Sequence, residues 1–185
     1  MKQAFSILNI LFLLLSFMGF MPAAVKAEPL TNNIQIVKLS TAMPNRTEKP
    51  MVSAEQSDFN EDTGLYSLKG KVNITFSGRT ITANSAKIKE PTLQLWTSGH
   101  TMLTEGELRF SGEALYAELA GTTAWFFGTR CSLERPGLII RADNMNYNWQ
   151  THIVTFDGHV FCVQKGHDTA AAHLEFDLEK NAIVG

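Results

Sequence analysis

Few side chains in this 185-residue sequence are of a type that does chemistry, and they are scattered along it. Five histidines, His100, His152, His159, His167 and His173, together with Cys131 and Cys162, are the groups that would ligate a metal or act as nucleophiles. Metal sites use such residues at short fixed spacings. No H-E-x-x-H and no C-x-x-C occurs here, so the histidines read as solvated surface residues, and no metal or cofactor is expected. Acyl-transfer and phosphate chemistry also lack their signatures: there is no G-x-S-x-G and no phosphate-binding glycine loop. Glu105, Glu107, Glu113 and Glu118 form an acidic stretch that reads as a solvated edge rather than a catalytic pair. The expectation is a protein without catalytic residues.

What remains is a pattern. Ala54, Ala83, Gly112, Ala142 and Ala171 are spaced by 29, 29, 30 and 29 residues, and sixteen residues after each of the first four stands Gly70, Gly99, Gly128 or Gly158. A fixed period of this length marks a repeat architecture, in which one supersecondary unit stacks on the next. Five residues after each start comes Phe59, Ile88, Ala117, Tyr147 or Phe176. Further glycines, Gly78, Gly137 and Gly166, recur later in three of the units and suit tight turns, where positive φ costs glycine nothing.

Within each unit the hydrophobic period is two, as in half-buried strands. Val72, Ile74 and Phe76 alternate with Lys71, Asn73 and Thr75, and Ile81 and Ala83 alternate with Thr80 and Thr82. The same parity makes inward pairs of Tyr66 and Leu68, Leu93 and Leu95, Ala124 and Phe126, and Val154 and Phe156. Helical spacing is not sustained after residue 28. The fold expected is all-β: an elongated β-jelly-roll or solenoid-like sandwich of about five 29-residue repeats over residues 53–185, whose facing sheets share one apolar interior. Trp96, Trp125 and Phe127 have the opposite parity. Either they form an exposed aromatic row or a bulge turns them inward.

The first 27 residues are different in kind. Lys2 is followed by an uncharged apolar run from Ala4 to Val25 and then by Val25-Lys26-Ala27, the layout of a secretory signal with an A-x-A-like cleavage site. A retained N-terminal anchor is the competing reading. Residues 28–52, polar and containing Pro29, Pro44 and Pro50, read as an extended leader with an edge strand at Ile34–Val37. The whole chain carries 16 basic and 18 acidic side chains, and loss of Lys2 and Lys26 would make it more acidic, so nothing favours nucleic acid as a partner. Export would allow Cys131 and Cys162 to pair. They occupy repeat columns two residues apart and face the same side, which leaves a diagonal disulfide and two separate buried thiols both open. The last unit ends part-way at Ile183-Val184-Gly185, which leaves a strand edge for pairing with another chain.

Three stretches carry a resemblance: Pro50-Met51-Val52-Ser53-Ala54-Glu55, Gly70-Lys71-Val72-Asn73-Ile74, and Ile81-Thr82-Ala83-Asn84-Ser85-Ala86. Arg141-Ala142-Asp143-Asn144 and Gly158-His159-Val160 repeat parts of them. Over residues 50–185 the pattern resembles the OstA-like repeat family of LptA-type lipopolysaccharide-transport proteins. Asn84, Thr101, Gly112-Glu113 and Arg130 depart from it. The resemblance implies a twisted jelly-roll in the periplasm, holding lipopolysaccharide acyl chains inside and joining other OstA-like domains, or copies of itself, by edge-strand pairing. It makes Leu68, Val72, Ile74, Phe76, Ile81, Phe126, Leu133, Phe156 and Val160 candidate lipid-groove residues, where ordinary core packing is the alternative. A membrane-anchored LptC-like adaptor, or a scaffold with a closed core, would carry the same repeat.

Overall fold

The computed structural model describes residues 33–39, 49–128 and 130–185. The expected signal segment, residues 1–27, and most of the expected leader lie outside these. Fourteen strands follow in order: β1 (Gln35–Lys38), β2 (Met51–Ala54), β3 (Gln56–Asn60), β4 (Leu65–Phe76), β5 (Arg79–Lys89), β6 (Gln94–Glu105) and β7 (Leu108–Glu118), then β8 (Thr123–Phe127), β9 (Cys131–Arg135), β10 (Leu138–Ala142), β11 (Asn144–Asn148), β12 (Ile153–Gln164), β13 (His167–Asp177) and β14 (Ala182–Ile183). Every pairing is antiparallel, and the only helical element among the described residues is a 3₁₀ turn at Glu90–Thr92. The all-β reading of the sequence therefore holds.

Long strands that change partners half-way create two layers. The register of β4 against β5 shifts between Lys69 and Val72, that of β6 against β7 between Ser98 and Thr101, and that of β12 against β13 between Asp157 and Val160. At each shift a glycine and the residue after it are both left-handed: Gly70 and Lys71 (φ 73° and 43°), Gly99 and His100 (76° and 49°), Gly158 and His159 (80° and 45°). Two consecutive positive φ values bulge the ladder and re-aim the strand, and glycine takes the first without steric cost. In one layer β3, the first half of β4, the second half of β5 and the first half of β6 lead through β8 and β11 to β14. In the other, β1, β2 and the remaining halves lead through β9 and β10 to the first half of β13.

Opposite each corner stands the residue that follows the small-residue column. The Glu55 N–H donates to Gly70 O and the Asp143 N–H to Gly158 O, both at 2.9 Å. Their side chains, with those of Asn84 and Glu113, lie so close over Gly70, Gly158, Gly99 and Gly128 that a Cβ on the glycine would collide with them. The polar ends then reach the residue beyond the glycine: Lys71 Nζ lies 2.8 Å from Glu55 Oε1, His100 Nδ1 3.2 Å from Asn84 Nδ2, and His159 Nδ1 2.7 Å from Asp143 Oδ2. The repeat column is thus a clasp over a corner, and asparagine at residue 84 keeps it.

Rows of side chains run across both layers. In one layer Tyr66, Ile88, Leu95, Ala117, Ala124, Tyr147, Val154 and Phe176 are successive cross-strand neighbours, beginning at Phe59. In the other, Val52, Ile74, Ile81, Leu103, Phe110, Leu133, Ile140 and Cys162 do the same. The layers meet face to face: the Phe110 ring stacks on Tyr147 at 4.5 Å and on Phe126 at 6.0 Å. Apart from Phe59 these residues belong to one hydrophobic cluster or pack against it, and among the described residues no buried polar side-chain atom lacks a partner.

Substituting Gly158 with alanine combines a left-handed φ with a collision against Asp143, and should cost about 1–3 kcal/mol in urea unfolding. The Asp143–His159 contact also has a pH signature. The hydrogen bond to Asp143, and then its charge, raise the His159 pKa above the ordinary value. The contact therefore stabilises fully below the unfolded histidine pKa and is lost as pH rises through the folded one. In an NMR titration the His159 midpoint should fall toward the ordinary value in Asp143→Asn.

Candidate functional site

All nine groove candidates point into the space between the layers, and none is more than 4 % exposed. Val72, Ile74, Phe76, Ile81, Leu133 and Val160 come from one layer, Leu68, Phe126 and Phe156 from the other. The interior is a packed apolar seam. The layers are joined along the corners, where the chain itself passes from one to the other.

On the side away from the corners, side chains link the layers. Arg79 begins β5 at an inward position, beside Phe76 and Glu105 in the ladder, and is 6 % exposed. Its Nε donates to Glu105 Oε2 at 3.0 Å and its Nη2 to Oε1 at 2.5 Å, a two-pronged pair. The Tyr147 hydroxyl, from the opposite layer, donates to Glu105 Oε2 at 2.7 Å. Trp149 completes the bridge: Arg79 sits 5.3 Å over its ring, Phe76 packs against it at 5.9 Å, and its Nε1–H donates to Gly121 O at 3.1 Å. Burial first, then the hydrogen bond to Glu105 and its charge, hold the Tyr147 phenol far above its usual pKa, so it stays a donor at any physiological pH.

A second bridge lies further along the same rim. Arg135 donates from Nη1 to Leu178 O at 3.2 Å and from Nη2 to Asn181 Oδ1, and lies 5.8 Å over the Phe176 ring. Gln164 Nε2 donates to Asn181 O at 2.8 Å. Glu105 is thus no solvated acid at the edge. It is the acceptor at the centre of a cross-layer bridge, because its parity with Leu103 turns it inward.

Cys131 and Cys162 are both buried and both free, so the disulfide alternative is not realised. Cys131 pairs with Ala142 across β9 and β10, while Cys162 pairs with Ile140 across β10 and β12, which separates them along and across the sheet. The Cys131 thiol donates to Gly128 O and Asp143 O at 3.4 Å, and burial, with the nearby Glu113 and Asp143 charges, pushes its pKa up to about 11. Burial raises Cys162 as well. The histidines are dispersed, and no group of three metal-ligating residues forms among the described residues.

Trp96 and Phe127 are exposed on the outer face of the layer containing β3, and Trp125 lies half-buried beside them, so no bulge turns them inward. The bridge residues Arg79, Glu105, Tyr147 and Arg135 escape a search for catalytic motifs. Their signal in the sequence is charge or hydroxyl at positions of inward parity, as at Arg79 before Ile81 and Ala83.

Glu105→Ala leaves Arg79 buried and unpaired and should cost about 3 kcal/mol or more. Tyr147→Phe should cost about 1 kcal/mol. Urea unfolding measures both, and a native-state thiol assay at pH 8 should find Cys131 and Cys162 unreactive.

The profile of the family described as "LptA/(LptD N-terminal domain) LPS transport protein" matches residues 51–182. Among solved structures, the chain is similar to LptH, described as the LptA homologous periplasmic component of the conserved lipopolysaccharide transport device from Pseudomonas aeruginosa. The TM-score is 0.56 and the identity 13 %, over 60 % of this chain and 83 % of LptH. That likeness establishes the fold. No curated sequence matches the chain. With strands β2 to β13 and all the corners falling within the matched span, the chain belongs to the LptA/LptD N-terminal-domain family of lipopolysaccharide-transport proteins.

Proposed function

We propose that this chain is a periplasmic, non-enzymatic carrier that takes the acyl chains of lipopolysaccharide between its two layers and leaves the sugar head in water. One observation carries the reading. Among the described residues the apolar seam is continuous across both layers, is closed covalently only at its corners, and is held at the other rim by side chains. Such a rim separates without breaking a ladder. Opening exposes the interior from Phe76 at the rim inward to Phe126 and Phe156 beside the corners, and each acyl CH₂ buried there contributes about 0.8 kcal/mol. The solved relative's description as a periplasmic transport component supports the location and cargo. With no nucleotide-binding motif in the sequence, direction comes from an energy source elsewhere.

The ends of the layers suit a bridge of modules. At one end β1 and β2 present Ile36 and Met51, 78 % and 68 % exposed. At the other, the first half of β13 (His167–Ala171) has β12 on one side only among the described residues, and Ile183 and Val184 are exposed beside its second half. Open edges of this kind pair with strands of other OstA-like domains or with a second copy. A closed scaffold that binds partners and no lipid is the second reading, favoured by the tight packing of the interior.

Photo-crosslinking groups at positions 76 and 156 separate the two. Incubation with lipopolysaccharide should yield an adduct from each position, more in Glu105→Ala than in the parent. No adduct from either sinks the carrier and leaves the scaffold. In light scattering the mass should rise with concentration; a strict monomer at high concentration counts against self-pairing.

A further inference from the structure

A second feature lies on the outer face of the β3-containing layer, away from the apolar seam. Asp58, Ser67, Lys87 and Trp96 are successive cross-strand neighbours on β3, β4, β5 and β6, and Tyr116 and Trp125 continue the row on β7 and β8. The three aromatic rings lean on one another, Trp96 to Tyr116 at 5.5 Å and Tyr116 to Trp125 at 5.4 Å. The Tyr116 hydroxyl is fixed as well, donating to Glu118 Oε1 at 2.9 Å and accepting from Gln94 Nε2 at 3.0 Å. Trp96 is therefore held from one side only. Its position at the end of the stack leaves Trp96 39 % exposed.

On the free side of Trp96 the surface sinks into an open concavity of about 750 Å³, bounded by β3 and floored by the small side chains Ser67, Ser85 and Ser98. The Ser85 and Ser98 hydroxyls bond to each other at 2.8 Å, which leaves lone pairs and one hydroxyl hydrogen for a further partner. Lys69, Lys87 and Asp58 line the same hollow and make no ion pair among the described residues. A preset aromatic wall thus stands over a floor of hydroxyls and unspent charges.

That combination suits one kind of molecule. A pyranose ring offers an apolar C–H face to an indole and a rim of hydroxyls to serine, lysine and carboxylate groups. A purely apolar ligand would bury the lysines without partners, a cation would face two ammonium groups, and nucleic acid finds no net positive field on this chain. With two lysines against one aspartate, the geometry points to a binding site for a soluble oligosaccharide that carries carboxylate or phosphate groups, with one sugar ring stacked on Trp96. The site is independent of the apolar interior and stands or falls apart from the carrier reading.

Isothermal titration of the purified protein with a tetragalacturonate probe tests it, alongside tryptophan fluorescence and neutral cellotetraose for comparison. Expected are saturable binding of the acidic probe with a change in tryptophan emission, affinity that falls as salt rises, and at least tenfold weaker binding in Trp96→Ala. Ser67→Phe, which fills the hollow and leaves the aromatic row in place, should weaken binding equally, while Phe161→Ala on the other layer should not. Lys87→Gln should lower affinity several-fold and flatten the salt dependence. Absence of saturable binding by both probes, or binding unchanged in Ser67→Phe, overturns the site. Equal affinity for the neutral probe overturns its acidic preference.

Discussion

Everything in this fold depends on a strand being able to turn a corner without ending. A glycine followed by a second left-handed residue bulges the ladder, and the side chain from the neighbouring strand folds over it at a distance that excludes any Cβ. Because the same corner recurs at Gly70, Gly99 and Gly158, successive strands pass between layers side by side, and the inward rows of both layers stay in register. Had the corners fallen at unrelated positions, the cross-strand rows from Tyr66 to Phe176 and from Val52 to Cys162 could not have formed.

The corners also divide the molecule mechanically. On one side, backbone continuity joins the layers. On the other, they meet through Arg79, Glu105, Tyr147 and Trp149, and through Arg135, Gln164 and Asn181. The Arg79–Glu105 pair lies at the margin of the apolar seam, where an ion pair gains from low dielectric but carries a desolvation cost, while the Arg135–Gln164–Asn181 link lies nearer solvent. A sandwich built only for stability would do as well with packed hydrophobic residues at these positions. Polar links that come apart and re-form in water are consistent with the opening of this rim that we propose for the carrier.

Much of this was legible beforehand because it follows from period and parity. The two-residue alternation places Val72, Ile74, Phe76 and Ile81 inward, and the 29-residue spacing makes equivalent columns into neighbours across the sheet, as Ile88, Ala117, Tyr147 and Phe176 prove to be at alternate places in one row. Phe59 shows the limit of column reasoning: it shares that column yet is 40 % exposed, because among the described residues β3 ends its layer and pairs with β4 alone. Glu105 shows another. A run of glutamates suggests a wet edge, but the run crosses a hairpin at Gly106, and alternation resumes on each side of it. The acids therefore go to different surroundings.

The sequence by itself determined the all-β class, the repeating corners, the inward set and the family, since each of these is written in the order of residue types and needs only local geometry to read. Tertiary structure alone decided that Cys131 and Cys162 stay apart as free thiols, that Glu105 accepts from Arg79 and Tyr147, and that Trp96 ends an aromatic stack over a polar hollow. Those outcomes depend on which strands become neighbours and how deep each side chain lies. Both are settled by packing between segments far apart in the chain, where no local period reaches.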